Sequence, residues 1–295
     1  MTPFLKLVAD DLYRKLGGNF QDTCIIFPNK RASLFFTEYL WSNSNGETMW
    51  TPEYTSISEL FASLSDYTTG DSIFLVLKLW EVYREKMQPT KPLDQLYALM
   101  ETMLSDFQDI DNNMVDPSKL FLNIAELKEM TDFSFLEDEQ REAIELFFGK
   151  FFTERNANTP LKSQFKTLWN KMTELYEAYQ AALLDTEEEP MLYEGMLKRK
   201  VVEALTGKDE DARMRVDARL SAKTYVAVGF NVLNKTEMEL FRYIKQNRDA
   251  KFYWDYDIAY TKPFIHNGER GTKRPEGVLS KYEAGQFILE DIRLL

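Results

Sequence analysis

The residues that could meet a phosphate or a metal ion are few, and each sits at the end of a short apolar run. After the run Thr23 to Phe27 comes Pro28-Asn29-Lys30-Arg31-Ala32-Ser33, with two basic residues where a helix should begin. Lys30 and Arg31 could meet an anion at that helix amino terminus; the ordinary alternative is a solvated pair at a strand–helix turn. A working nucleotide loop needs G-x-x-x-x-G-K-[ST], because its glycines let backbone N–H groups wrap the phosphates. This loop has no glycine, and Pro28 has no N–H to offer. A second buried run, 224–228, ends in Gly229-Phe230, where an acid would be required to hold magnesium. Asp255 and Asp257 alternate after a third run and could face one side of a strand. No D/E-x-K follows on a neighbouring strand, so they read as exposed residues at a strand end rather than as a metal-dependent nuclease pair.

The remaining chemistry-bearing residues are sparse. His266 is the single histidine and lies among polar and glycine residues, which reads as surface; two-histidine metal sites are excluded. Cys24 is the single cysteine and lies inside an apolar run, which excludes a disulfide framework and reads as a packed thiol. Basic residues cluster at Lys198-Arg199-Lys200 and at Arg270, Lys273 and Arg274, and such clusters are usually solvated. The aromatic residues near Phe147 and Trp169 read as core, since Lys150, Glu154 and Arg155 around Phe151 are mixed in sign. With 48 acidic against 36 basic residues the net charge is −12, which argues against a free-standing basic nucleic-acid-binding domain. A 295-residue chain that is 44% hydrophobic is globular, and no apolar run approaches membrane-spanning length. With no signal-peptide layout at its start, the expected location is the cytoplasm.

The elements that would position these residues follow from periodicity. Thr2 and Pro3 should cap and open a helix carrying Leu5, Val8, Leu12 and Leu16, ended by Gly17-Gly18. The strand 23–27 leads into a helix with Leu34, Phe35, Tyr39 and Phe36 turned inward. A strand over 53–56 meets Ser56 and Glu59 at capping-box spacing, opening a helix to Leu64. From 71 to 184 the pattern is helical, with stripes at Leu96, Leu99, Met100, Met103, Leu104 and Phe107, at Ile144 to Phe152, and at Phe165 to Tyr179. Asp116-Pro117 should start one of these helices. Then follow a helix over 193–205, a charged helix or loop over 206–219, a strand over 224–228 ended by Gly229, a helix capped near Asn234 or Thr236, and a strand over 251–254. A loop over 266–277 and an amphipathic helix over 282–294 close the chain. The expected class is therefore α/β, predominantly helical. Its strands lie near both ends (1–70 and 191–295), and a helical insertion occupies 71–190.

Three segments resemble the amino-terminal region of AddB-type proteins, the B subunits of helicase–nucleases in the PD-(D/E)XK nuclease family. They are Cys24-Ile25-Ile26-Phe27-Pro28-Asn29-Lys30-Arg31-Ala32-Ser33-Leu34-Phe35-Phe36; Tyr54-Thr55-Ser56-Ile57-Ser58-Glu59-Leu60; and Tyr193-Glu194-Gly195-Met196-Leu197 with Val226-Ala227-Val228-Gly229-Phe230-Asn231. The resemblance implies a RecA-like parallel-sheet core of the helicase 1A type, interrupted by a 1B-like helical subdomain. It makes Pro28, Asn29, Lys30 and Arg31 a degenerate motif I, and Gly229 and Phe230 a degenerate motif II. It implies no cofactor in this segment; relatives carry a divalent metal in a carboxy-terminal nuclease that this chain stops short of. It also implies an AddA-type helicase partner, DNA contact that is weak at best (with Lys30, Arg31, Lys273 and Arg274 as possible contacts), and no membrane. A helical protein-interaction scaffold unrelated to nucleic acid is the alternative, and a hydrolase at Asp255 and Asp257 a distant third.

Overall fold

The computed structural model describes residues 2–121, 171–186 and 189–255. The chain divides into two compact units. One comprises Met1–Thr69, Asp111–Met114 and Tyr193–Leu295; the other comprises Gly70–Ile110 and Val115–Leu192. Among the described residues no helix is long and apolar enough to cross a membrane.

The first unit is built on a four-stranded sheet. In chain order its elements are α1 (Phe4–Leu16), β1 (Thr23–Phe27), α2 (Lys30–Asn43), β2 (Glu53–Ser56) and α3 (Ile57–Leu64). In the other unit lie α4 (Ser72–Met87), most of α5 (Leu93–Asn112) and α6 (Met172–Leu184). The sheet unit then resumes with α7 (Glu194–Thr206), α8 (Glu210–Asp217), β3 (Thr224–Phe230), α9 (Lys235–Asn247) and β4 (Asp249–Trp254). The strand order is β2-β1-β3-β4, and every pairing is parallel. Ile25 sits opposite Tyr54 on one side and Val226 on the other, so strands about two hundred positions apart are direct neighbours.

Residue type explains the layers. All five residues of β1 are buried, as a central parallel strand covered on both faces requires. On one face Ile25, Phe27, Val226 and Val228 pack against Val8, Ala9 and Leu12 of α1 and Phe36 and Leu40 of α2. The other face receives α9 through Phe230 and Phe241, whose rings meet edge-on at 5.2 Å. Gly229 lies between these faces at φ +80°, in a bulge between Val228 and Phe230. The bulge turns Phe230 to the face opposite Val228. The strand therefore runs two residues beyond the expected 228, and Gly229 re-aims it instead of ending it.

Two further expectations are corrected. Pro3, with φ −60° and ψ 143°, is itself the N-cap of α1, so Thr2 does not cap that helix. In α2 Phe36 and Leu40 are buried and Tyr39 packs half-buried against the same core, as expected for Phe36 and Tyr39, while Leu34 and Phe35 are exposed. The charged stretch 206–219 resolves into α8, capped by Asp209 and anchored by the buried Val216.

In the helical unit Leu75, Val76 and Leu79 of α4, Met100, Met103 and Phe107 of α5 and Leu175, Tyr176 and Tyr179 of α6 are buried. Phe107 meets Tyr176 edge-on at 5.2 Å, and the Tyr179 hydroxyl donates to the Leu75 carbonyl at 3.0 Å. A further helix opens at Pro117, its amino end capped by Asp116. The stripes at 144–152 and 165–169 and the segments 266–277 and 282–294 lie outside the described residues.

Candidate functional site

A parallel sheet with this strand order has a switch point. From β1 the chain moves outward to β2 on one side, and from β3 outward to β4 on the other. The connections leaving β1 and β3 at their carboxyl ends therefore diverge, and the crevice between them is where α/β sheets of this kind accept ligands. The residues of the β1–α2, β2–α3 and β3–α9 connections decide what this crevice can do.

The β1–α2 connection is only Pro28 and Asn29. Asn29 is the N-cap of α2, and its side-chain oxygen accepts the N–H groups of Arg31 at 3.1 Å and Ala32 at 3.4 Å. Those are the amides a phosphate would use at this helix end. Lys30 forms an ion pair with Glu59 of α3. Glu59 in turn accepts the Ser56 N–H at 3.1 Å and completes the capping box expected from the sequence. Lys30, then the Ser56 backbone and side chain, hold the Glu59 carboxyl below the usual carboxylate range. Arg31 is exposed and makes no ion pair among the described residues.

The network continues behind this loop. Ser58 Oγ donates to Glu194 at 2.6 Å, and Lys198 Nζ reaches Glu194 at 2.9 Å and Glu237 at 3.3 Å. Glu237 forms the capping box of α9, accepting the Asn234 N–H at 3.3 Å while its own N–H bonds the Asn234 side chain at 2.9 Å. Lys198 is only 5% exposed, and its ammonium stands 5.5 Å from the centre of the Phe61 ring. Burial works to raise the Glu194 carboxyl, but the bonds from Ser58 and Lys198 prevail and lower it. Two ionic groups, Lys30–Glu59 and Glu194–Lys198–Glu237, joined through the Ser58 hydroxyl, thus link α2 through α3 and α7 to α9 and fasten the connections that follow β1, β2 and β3.

Arg199 belongs to a second buried group. The fully buried Asp111 accepts from the Tyr193 hydroxyl and from Arg199 at 3.2 Å, and Arg199 also reaches Glu203 at 2.9 Å. The expectation of a solvated basic cluster at Lys198-Arg199-Lys200 is therefore corrected. Lys198 and Arg199 serve internal carboxylates, and only Lys200 is left without an ion pair among the described residues. Sequence reading missed Glu194, Lys198 and Glu237 as a unit. The available signals were the four-residue spacing of Glu194 and Lys198 and the Asn234-x-x-Glu237 box.

The other sequence candidates are placed as follows. Gly229 sits in the bulge, and Phe230 is buried against α9, so neither presents a metal ligand to the crevice. Asp255 is exposed just past β4, and its N–H bonds the Phe230 carbonyl at 3.3 Å. Asp257, His266, Arg270, Lys273 and Arg274 lie outside the described residues. Cys24 is buried in β1, and burial, then the nearby Glu53 charge, push its thiol up to about 12, which leaves it protonated and unreactive at neutral pH. Among the described residues no three His, Cys, Asp or Glu side chains converge to hold a metal ion. No protein-family model matches this chain, and no curated protein matches it either. The crevice geometry therefore carries the functional argument alone.

Proposed function

We propose that this chain is an inactivated, helicase-like amino-terminal segment of a double-strand-break repair helicase–nuclease subunit of the AddB type. In this reading it holds an AddA-type partner subunit and contacts a DNA strand weakly, without hydrolysing ATP. The supporting observation is the parallel adjacency of β1 and β3, with a switch-point crevice whose connections are tied together by their own side chains. The 1A/1B reading of the two units, with the helical one inserted, belongs to the same proposal. Asn29 occupies the motif I place and Phe230 the motif II place, so the chain keeps the layout and lacks the phosphate cradle and magnesium acid. Its acidic balance favours a protein partner over strong nucleic-acid binding, which also keeps a helical interaction scaffold as the second reading.

Co-expression with the AddA-type helicase of the same organism tests the proposal. The expected result is a stable complex on gel filtration, with magnesium-dependent ATP hydrolysis by the helicase and none by this chain alone. Failure to form the complex, or magnesium-dependent ATPase activity of the isolated chain, overturns it.

A further inference from the structure

Between α2 and β2 the chain turns on Ser44-Asn45-Gly46-Glu47. The Glu47 N–H donates to the Ser44 carbonyl at 2.9 Å, and both central residues have positive φ, +50° at Asn45 and +83° at Gly46. That is the type I′ pattern, which asparagine followed by glycine adopts readily. Ser44 is buried, whereas Asn45 and Gly46 are exposed. Among the described residues no hydrogen bond holds the Asn45 side chain or the Gly46 N–H. A Cβ at Gly46 would meet nothing within 4 Å, so neither a side chain nor a packed neighbour crowds this glycine. The other asparagines stand differently. Asn29 and Asn234 accept from helix amides and precede lysines, and Asn43 donates to Asp10 at 2.9 Å from within α2. Among the described residues only Asn45 precedes a glycine; a second such pair, Asn267-Gly268, lies outside them.

We propose that Asn45 is a site of spontaneous covalent modification, converting to a mixture of aspartate and isoaspartate. The Gly46 nitrogen gives up its proton to hydroxide and attacks Cγ of Asn45; the side-chain nitrogen takes a proton and leaves as ammonia, closing a five-membered succinimide. Water then opens the ring at one of its two carbonyls. Opening at Cγ gives aspartate. Opening at the Asn45 main-chain carbonyl leaves that carbon as a free carboxylate and routes the chain through Cβ, which is isoaspartate. The sum is one water consumed and one ammonia released, with no oxidant or metal. The turn must open for the attack, and one bond closes it, from the Glu47 N–H to the Ser44 carbonyl. Exposed turns held so lightly open at low cost. Aspartate keeps the turn, but isoaspartate lengthens the main chain by one carbon. The Glu47 N–H then falls out of register with the Ser44 carbonyl, and the end of α2 that Asn43 fastens to Asp10 is loosened. The site shares no residue with the crevice network and does not depend on the repair assignment.

The test ages the whole chain at mildly alkaline pH beside a free peptide of the same turn sequence, and follows proteolytic fragments of both by mass spectrometry. The fragment carrying Asn45-Gly46 should gain the mass of deamidation at a rate within about tenfold of the free peptide, the margin that local opening of a lightly held turn allows. The rate should rise with hydroxide. A protein-isoaspartate methyltransferase with a labelled methyl donor should label that fragment, and hydrogen exchange should quicken at the carboxyl end of α2 in the labelled material. Asn45→Gly keeps a residue suited to positive φ in the turn and should abolish the label at this fragment without altering the fold. Fragments carrying Asn29 and Asn234 should stay unchanged over the same period. The proposal is overturned by an Asn45 fragment still intact once the free peptide has converted. Conversion as fast at Asn29 and Asn234, or confined to Asn267, overturns it equally.

Discussion

Replacing Lys198 with methionine tests whether the crevice is held together by its own charges. The substitution keeps an unbranched stem beside Phe61 and removes only the ammonium, which sits 2.9 Å from Glu194 and 3.3 Å from Glu237. At an effective dielectric near 20, each contact is worth on the order of 5 kcal/mol of attraction, most of it offset by the cost of drying the charges. The net value of the intact cluster is therefore small, but the cost of removing one member is not. Glu237 has a side chain only 12% exposed and would be left unpaired next to Glu194. Removal of one partner from a fully buried pair costs about 3–5 kcal/mol. Glu194 is more open and can take up water, so Lys198→Met should cost about 2–4 kcal/mol. Glu237→Gln keeps the α9 capping box, because glutamine can still accept from the Asn234 N–H, while it removes the charge. The double variant should then be more stable than the sum of the singles by about 1–2 kcal/mol. Urea unfolding with hydrogen exchange of the β1 and β3 amides reads the sheet unit directly. Additivity within about 0.5 kcal/mol would show that Lys198 and Glu237 are not coupled, and the account of the network would fail.

Two other perturbations probe the scaffold. Gly229→Ala meets open space, with Phe4 at 3.8 Å the nearest atom, but must hold an L residue at φ +80°, so thermal unfolding should show a loss of about 1–2 kcal/mol from backbone strain alone. An unchanged melting temperature would mean that the bulge relaxes away. Burial works to raise the Asp11 carboxyl, yet bonds from Lys15, Tyr253 and Arg14 hold it down to about 2, so the unfolded chain takes up a proton first as pH falls. The stability that Asp11 provides is complete above about pH 4 and should be lost between about pH 4 and 2, a part of the acid slope that Asp11→Asn should remove.

How much of this was readable from residues alone varies with the physical cause. β1, β2 and α3 follow from local signals: an unbroken apolar run buried on both faces, and a capping box whose two bonds form within one turn. The misreadings share a different origin. Leu34 and Phe35 are as apolar as Phe36 and Leu40, and only the line along which α2 meets the sheet and α1 decides which pair is buried. Lys198 is read as solvent-facing because lysine usually is, yet Glu237, its partner 39 positions away, reaches it only once α7 and α9 are packed together. Gly229 has a sequence signature equally suited to ending a strand or bulging it, and the choice rests on whether Phe230 finds Phe241 on the other face. Local bonds are legible before folding; choices between equivalent local solutions are made by tertiary contacts.

The same reasoning bears on why the crevice is a poor host for a nucleoside triphosphate. An entering phosphate would have to displace the Asn29 side chain from two amides and take Lys30 away from Glu59. It would also face the carboxylates of Glu59, Glu194 and Glu237, which outnumber Lys30 and Lys198. The lost cap alone costs about 1 kcal/mol, and the released Glu59 would add a repulsion that solvent weakens at so exposed a position. A loop evolved to bind and release phosphate keeps its amides open and its lysine unpaired; here both are spent on holding neighbouring connections in place. Glu59 discriminates between these roles. If Glu59→Gln, which frees Lys30 while leaving an acceptor for the Ser56 N–H, produced nucleotide binding where the wild-type chain has none, the crevice would be a latched nucleotide site. If it only lowered stability, by about 1 kcal/mol or less for so exposed a pair, the network is a brace, as the proposed non-hydrolytic role requires.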